Sequence, residues 1–261
     1  MTFEETFSAA LDSNKWRLEL GYQEGQPGFN GNDYEVSDGL LKIWNTIYQG
    51  STWNEGRVIN TDGPGNQFGN ASGADTFRFG QKYGIFECEC RIPTGRSNWP
   101  AFWLYAHDGT QRPEIDIMEY FGGDVNYNSG GTTPFNYAGT YHDGADGATS
   151  IQGSKKLVAD GGITGQDLSA GFHKYSVKWT SAGIWWYYDG QLIGSIGSAP
   201  DEFLFILISM GTQQGHTYNG ADYAEPNNTT SQSAANAFEV NYIRVWGLPD
   251  NSHATTGTYS P

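Results

Sequence analysis

The sequence has few cysteines, few basic residues and no long apolar run. Its only two cysteines, Cys88 and Cys90, lie two residues apart in a segment typical of an extended strand. Side chains at this spacing are parallel and their Cα atoms are about 6.5 Å apart, which disfavours a disulfide between them. We therefore expect two free, buried thiols.

The scarcity of basic residues restricts the partners. There are 14 Lys and Arg against 29 Asp and Glu, so the formal net charge is -15. Such a field repels nucleic acids, anionic membranes and heavily sulfated or uronic polymers. The chain also lacks an apolar run of about 18 residues and the pattern of a signal peptide, although a signal can be removed by processing. We expect a neutral partner, with no nucleic acid and no membrane.

Glycine and aromatic residues, by contrast, are abundant, with 36 Gly, 16 Tyr, 14 Phe and 9 Trp in 261 residues. This composition favours short strands joined by tight turns, and the length fits one large β-sandwich. Five segments are short, aromatic or β-branched and bounded by turn signals. They predict an all-β fold with strands at Leu40–Ile47, Tyr83–Ile92, Phe172–Trp179, Ile184–Tyr188 and Phe238–Trp246.

Two further segments predict particular elements. IWWYYDGQLI predicts a hairpin with Asp189 and Gly190 in a two-residue turn that requires positive φ. FLFILISM, which ends at Met210, is apolar on both faces, and its short length favours a central strand over a buried helix. No repeat or compositional break marks a boundary, so we predict one domain over residues 1–249 and a tail or linker over residues 250–261.

The run EIDIME, which begins at Glu114, places three carboxylates in an apolar strand pattern. Glu114 and Asp116 share a face by alternation, but Glu119 would point away on a regular strand. A β-bulge, one extra residue around Ile117 and Met118, would return Glu119 to that face. The two Glu carboxyls could then lie roughly 5 to 6 Å apart, the spacing of nucleophile and acid/base in a retaining glycosidase.

The protonation of these acids follows from their closeness. Three adjacent carboxylates cannot all ionise at low cost, so we expect a shared proton near Asp116 and a raised pKa of Glu119. Two other interpretations stay open at this point. The acids could form a solvated strand face, which is common in acidic proteins, or a cation site, although one straight strand wraps a cation poorly.

Tryptophans near the acids favour a sugar site. Trp99 and Trp103 lie in NWPAFWLYA, shortly before EIDIME, and the C–H faces of sugar rings stack well on indole. Most tryptophans belong to a core instead. With Trp53 and Tyr120 also expected near the same cleft, we predict that at least one of the four residues is a stacking platform.

In these segments the sequence resembles glycoside hydrolase family 16, and within it the laminarinase and agarase branch with a bulged catalytic strand. The resemblance spans nearly the whole chain, through FEETF, LDSNKW, EGRVINT, KYGIFECECRIP, NWPAFWL, EIDIME, AGTYH, DLSAGFHKYSVKW with IWWYYDG, and FEVNYIRVW. It implies a β-jelly-roll sandwich of two antiparallel sheets with an open, concave cleft, and hence endo cleavage.

The resemblance also implies roles for individual residues. It makes Glu114 the nucleophile, Asp116 the residue that assists it, and Glu119 the acid/base. The residues that it places near the substrate are Trp103, which stacks on sugar, His142 of AGTYH, which contacts substrate or the acid side of the cleft, and Asn54 and Arg57, which match a cleft-lining region of relatives.

Three positions depart from the family pattern. Glu89 stands where β-1,3-glucanases usually have a sugar-contacting Arg, so we count it as a substrate-side residue of reversed charge. Ser209 replaces an Asn of the late apolar strand, and Asn241 replaces the Asp of the closing strand. Many relatives bind a structural calcium ion through that Asp and an acidic residue near the N-terminus; the replacement weakens this expectation without excluding it. No cofactor is expected for catalysis.

Together these features predict a secreted, monomeric, retaining endo-hydrolase of a neutral β-linked polysaccharide, foremost a β-1,3- or mixed-linkage β-glucan. The same mechanism on a β-galactan such as agarose, or on a bacterial exopolysaccharide, remains open, and so does transglycosylation. A carbohydrate-binding module is a further alternative, because jelly rolls serve both roles. Such a module has no need of two glutamates at catalytic spacing.

Overall fold

Antiparallel strands form the regular structure of this protein. The computed structural model describes residues 1–19, 34–44, 46–48, 52–54, 58–61, 78–93, 98–106, 113–120, 137–142, 155–156, 167–212, 217–218, 221–222 and 237–257. Within these ranges there is no helix, and therefore none with the length and apolar character to cross a membrane.

The strands are short, as the turn-rich composition predicts. In chain order they are β1 (Phe3–Glu5), β2 (Arg17–Glu19), β3 (Tyr34–Ser37), β4 (Leu40–Ile43), β5 (Thr46–Tyr48), β6 (Thr52–Asn54), β7 (Val58–Asn60), β8 (Gly80–Lys82), β9 (Gly84–Arg91), β10 (Asn98–Ala106), β11 (Glu114–Glu119), β12 (Ala138–His142), β13 (Lys155–Lys156), β14 (His173–Thr180), β15 (Gly183–Tyr188), β16 (Gln191–Ile196), β17 (Leu204–Thr212), β18 (Thr217–Tyr218), β19 (Ala221–Asp222), β20 (Phe238–Trp246) and β21 (Ala254–Thr256). All five segments predicted as strands from sequence are confirmed, and the first is divided between β4 and β5.

Two sheets organise these strands. Sheet A has eight strands in the order β16-β15-β14-β9-β20-β4-β3, with β1 paired to β20. Sheet B has nine strands in the order β13-β12-β11-β10-β17-β7-β2, with β8 paired to both β17 and β21. Two small pairs, β5 with β6 and β18 with β19, complete the described part.

The core lies between the two sheets, because each contributes one apolar face. In β14, Val177 and Trp179 are fully buried, while Lys174 and Lys178 on the alternate positions are exposed. In β9 the same alternation turns Cys88 and Cys90 inward, where both thiols are free and buried, as predicted. Large apolar side chains of both sheets join this one cluster.

Two local predictions are confirmed. Asp189 and Gly190 connect β15 to β16 with φ angles of 46° and 81°, so both turn residues adopt the left-handed conformation that a two-residue hairpin needs. FLFILISM forms most of β17, which lies between β10 and β7 in the middle of sheet B. Its burial on both faces explains the continuous apolar run.

The segment predicted as a tail needs one correction. Within residues 250–261, strand β21 pairs with β8 in sheet B, and the imidazole of His253 accepts a hydrogen bond from the backbone N–H of Leu248. Residues 254–256 are therefore part of the sandwich and not a frayed extension. The domain boundary at residue 249 stays a prediction.

Candidate active site

A β-bulge in β11 determines which side chains share a face. Asp116 pairs with Trp103 and Met118 pairs with Phe102, so one step along β10 matches two steps along β11, and Ile117 is the extra residue. Ile117 and Met118 both point into the core and are fully buried. The bulge predicted from the odd spacing of the acids is confirmed at the predicted place.

The bulge aligns the three acids on the face of sheet B that points away from the core. Glu114, Asp116 and Glu119 lie opposite Tyr105, Trp103 and Ala101 of β10, respectively. On the other side of β10, the same three β10 residues lie opposite Phe205, Leu207 and Ser209 of β17, respectively. Since directly opposed residues of an antiparallel pair share a face, one apolar floor lies beside the row of acids.

Asp116 is the most buried of the three acids, at 2% exposure. Its Oδ2 lies 3.0 Å from Nε2 of His142, which is the neighbour of Glu114 on β12. One ligand-type atom from each of Glu114, Asp116 and His142 lies within 4.8 Å of the others. The histidine therefore lies on the Glu114 side of the row, because Ala138 and not His142 pairs with Glu119. This register does not fit a contact with the acid side, and the alternative, that His142 contacts substrate, stays a prediction.

Glu119 has an environment unlike that of an ordinary surface carboxyl. Burial raises the pKa of Glu119 well above its usual value, and the negative charges of Asp116 and Glu114 raise it further. The indole Nε1 of Trp99 donates a hydrogen bond to Oε1 of Glu119 at 3.1 Å, which acts in the opposite direction because it favours the ionised form. The raised pKa predicted from the clustering of acids is confirmed in direction.

Trp103 lies in the middle of the floor. It is 2% exposed, its ring meets that of Tyr105 edge-on at 5.7 Å, and its Nε1 donates to Oγ of Ser209 at 3.1 Å. Ser209, which departs from the Asn that the resemblance implies, thus holds the indole. Trp103 lies opposite Asp116 across β10 and β11, and that it stacks on sugar stays a prediction.

Two residues predicted near substrate lie elsewhere. Tyr120 is 1% exposed and belongs to the core, because strand alternation turns it inward directly after Glu119. Glu89 lies on β9 of sheet A, on the face opposite to Cys88 and Cys90, and accepts a hydrogen bond from Nδ2 of Asn241 at 2.6 Å. The core separates it from the row of acids, so the substrate-side assignment of both residues is wrong.

Three predicted cleft residues cannot be placed by their side chains. Trp53 and Asn54 belong to β6, which pairs with β5, but their side chains lie outside the described residues. Arg57 lies outside them entirely. These three assignments stay predictions.

A structural calcium ion stays a prediction, and the groups expected for it have protein partners. Asn241 donates a hydrogen bond from its Nδ2 to Glu89, so only its Oδ1 could contribute to a cation site. The acids near the N-terminus are already bound to protein groups: Glu4 to the guanidinium of Arg244, and Glu5 to the indole of Trp16. The cluster of Glu114, Asp116 and His142 offers three donors, but the contact between His142 and Asp116 already joins two of them.

Gly211 is a contributor that the sequence did not indicate. It lies opposite Trp99 across β10 and β17, and a Cβ at this position would come within 3.2 Å of Cε3 of the indole. The missing side chain lets the ring of Trp99 lie against β17 while its N–H reaches Glu119. A glycine near the end of an apolar strand has no local signal for such a role, since the partner is on another strand.

The comparisons with known proteins agree with this geometry. The model of the family described as glycosyl hydrolases family 16 matches residues 41–242. An endo-1,3-1,4-beta-glycanase of Rhizobium meliloti is 28% identical over 93% of this chain, which spans only 45% of that relative's length. A glucan endo-1,3-beta-glucosidase of Cryptopygus antarcticus is 26% identical over 94% of this chain and 91% of its own.

Solved structures agree on the fold. The laminarinase catalytic domain of Thermotoga maritima superposes with a TM-score of 0.64 at 23% identity, covering 93% of this chain and 96% of that domain. At this identity the likeness concerns the fold alone. The predicted class, an all-β jelly roll of two antiparallel sheets, is confirmed.

Proposed function

Because the chain belongs to glycosyl hydrolases family 16, we propose that it is a retaining endo-glycoside hydrolase that cleaves a β-1,3- or mixed-linkage β-glucan. The observation that carries this proposal is the bulge at Ile117, which sets Glu114 and Glu119 on one face with Asp116 between them. A binding module would have no use for this arrangement.

The two glutamates differ in environment, and this difference assigns their roles. Glu119, whose pKa is raised, keeps its proton to higher pH than an ordinary glutamate and is suited to protonate the departing glycosidic oxygen. Glu114 then attacks the anomeric carbon and forms a glycosyl ester as the bond to the leaving sugar breaks. In the second step the carboxylate of Glu119 takes a proton from water, whose oxygen displaces Glu114 and releases the sugar.

Asp116 and His142 support this sequence of steps. Their contact at 3.0 Å lies beside Glu114, and the Asp116 side of it is almost excluded from water. A hydrogen-bonded pair of this kind keeps the side chains of the neighbouring acids in fixed relative positions. The charge of Asp116 also disfavours ionisation of Glu119, which maintains the acid form before each cycle.

The substrate class is supported by the relatives and by the charge. The two curated relatives named above are a 1,3-1,4-glycanase and a 1,3-glucosidase acting on glucan. A net charge of -15 suits a neutral polymer better than a sulfated or uronic one. We also propose that the protein is secreted, because polymeric glucan lies outside cells. We propose that it is monomeric, because a single chain supplies all three acids of the site.

Catalysis is proposed to need no metal or other cofactor. Every step above uses a carboxyl group or water, and the contact of His142 with Asp116 competes with metal binding at these acids. Dialysis against EDTA should therefore leave kcat unchanged. A loss of activity that added calcium or another divalent ion restores would contradict this part of the proposal.

The proposal is tested by the release of reducing ends from laminarin, lichenan, agarose and a neutral exopolysaccharide. We expect activity on laminarin or lichenan, and a loss of at least about a thousandfold in Glu114→Ala and in Glu119→Gln. Glu87→Gln is the matched control, because Glu87 is also hydrogen-bonded, to the hydroxyl of Tyr242, but lies on sheet A. Binding of glycans without hydrolysis by the wild type would contradict the proposal.

A further inference from the structure

A tryptophan from the opposite sheet contacts the backbone of the strand that carries the acids. Trp186 of β15 is 1% exposed, and its Nε1 donates a hydrogen bond of 2.9 Å to the carbonyl oxygen of Asp116. β15 belongs to sheet A and β11 to sheet B, so this bond crosses the core. It links the two sheets at the backbone of Asp116, the middle residue of the row of acids.

The position of this bond is specific to the bulge. The carbonyl of Asp116 belongs to the peptide that joins Asp116 to Ile117, the extra residue of β11. At a bulge the regular ladder is interrupted, and a backbone carbonyl can turn toward the core, where it needs a donor. The indole N–H of Trp186 supplies that donor from the facing sheet.

The consequences reach the other face of sheet B. The side chain of Asp116 and that of Glu119 flank the bulge and point away from the core, while the peptide between them is held from the core side. A bulge whose first peptide is not held can shift or lose its extra residue from the ladder. Either change moves Glu119 relative to Asp116, because Glu119 follows the bulge.

We propose that Trp186 is a positioning residue for catalysis: its indole N–H fixes the bulge of β11 and thereby the distance between Glu119 and the other two acids. The expected effect of Trp186 on turnover rests on the proposed function. The expected effect of Trp186 on the ionisation of Glu119 needs no substrate, so the positioning role and the proposed function can fail separately.

The protein contains a matched control for this residue. Trp179 lies on β14, the strand next to β15, is fully buried, and donates its Nε1 to the carbonyl oxygen of Pro200 at 3.2 Å. Trp179 thus matches Trp186 in residue type, in sheet, in burial and in the kind of hydrogen bond that its indole donates. Its acceptor, however, lies in the segment between β16 and β17 and not on β11.

The experiment compares Trp186→Phe with Trp179→Phe. Both variants lose one buried indole N–H bond, so both should unfold at lower urea concentration. Only Trp186→Phe should lower kcat on the glucan, by about ten- to a hundredfold, with KM within about twofold, since misplacement of a reacting group acts mainly on the chemical step. The alkaline limb of its pH profile should move to lower pH, because Glu119 leaves the surroundings that raise its pKa.

A second readout needs no turnover. In protein labelled with carbon-13 at the Glu side-chain carboxyls, the resonance lost in Glu119→Gln identifies Glu119 and gives its pKa in each variant. The pKa of Glu119 should fall in Trp186→Phe and stay at the wild-type value in Trp179→Phe. If Trp186→Phe does not fold, replacement of Trp186 by 3-benzothienylalanine keeps the bicyclic ring and removes only the donor.

The outcomes separate the two proposals. A Trp186 variant with wild-type kcat and an unchanged pKa of Glu119 overturns the positioning role and leaves the proposed function intact. An equal pKa shift in both Phe variants also overturns it, because the effect would then be general loosening of the core. A wild type that is inactive on every glucan refutes the proposed function, while the titration still decides the role of Trp186.

Discussion

Trp99 and Glu119 are joined by a hydrogen bond of 3.1 Å from the indole Nε1 to Oε1 of the carboxyl. This bond is the one contact among the causes of the Glu119 shift that lowers its pKa, against burial and the charges of Asp116 and Glu114. The acid is therefore held between opposing effects. Its raised pKa favours the protonated form, and the indole stabilises the carboxylate that remains after proton transfer.

Removal of this bond should move the pH profile in a defined direction. In Trp99→Phe the carboxylate of Glu119 loses its donor, so the pKa of Glu119 should rise and the alkaline limb of kcat/KM should move to higher pH. This is opposite to the shift expected for Trp186→Phe. Trp185→Phe, on the outer face of sheet A, is the control. An alkaline limb that stays in place or moves to lower pH would show that the bond does not act on Glu119.

Gly211 offers a second way to disturb the same bond. In Gly211→Ala the new Cβ would stand 3.2 Å from the ring of Trp99 and displace it from Glu119. We expect kcat to fall by about tenfold, which is the effect of losing one hydrogen bond to a charged group. Gly197→Ala is the control, because a Cβ there meets nothing within 4 Å. Equal kcat values for the two variants would refute the role of Gly211.

Replacement of Glu119 should also change the pH dependence of stability. Since the folded state raises the pKa of Glu119, it keeps a proton that the unfolded chain loses, and wild-type stability must fall as pH rises from the usual Glu range through the folded pKa. The glutamine of Glu119→Gln does not ionise, so the free energy of unfolding of this variant lacks this fall with pH. As pH increases above about 4.3, the variant should therefore become more stable relative to the wild type.

Urea midpoints from pH 4 to pH 9 measure this difference. Glu87→Gln, on sheet A, corrects for the removal of one negative charge from an acidic protein. If the free energies of unfolding of wild type and Glu119→Gln keep a constant difference across this range, Glu119 does not carry a raised pKa in the folded protein.

The part of the site that depends on one strand could be predicted from sequence. The odd spacing of Glu114 and Glu119 in an apolar run requires a bulge, and the structure has it at Ile117. The same rule of alternation would have placed two further residues correctly. Tyr120 is next to Glu119 and must turn inward, and Glu89 must face away from a core that contains Cys90.

The contacts between strands that are distant in sequence could not be predicted. The bonds of Trp99 to Glu119, of Trp103 to Ser209 and of Trp186 to the carbonyl of Asp116 depend on strand order, register and the stacking of two sheets. The hairpin that contains Trp186 is evident from its turn residues. Which indole reaches the bulge is decided by how sheet A lies on sheet B.

The stereochemistry of the first product tests the central claim most directly. Double displacement through Glu114 predicts that proton NMR during the first minutes of glucan hydrolysis shows the β-anomer of the new reducing end before mutarotation produces the α-anomer. Glu87→Gln should give the same result, and Glu114→Ala should give no product. Initial appearance of the α-anomer would mean inversion by direct attack of water and would contradict the role of Glu114 as nucleophile.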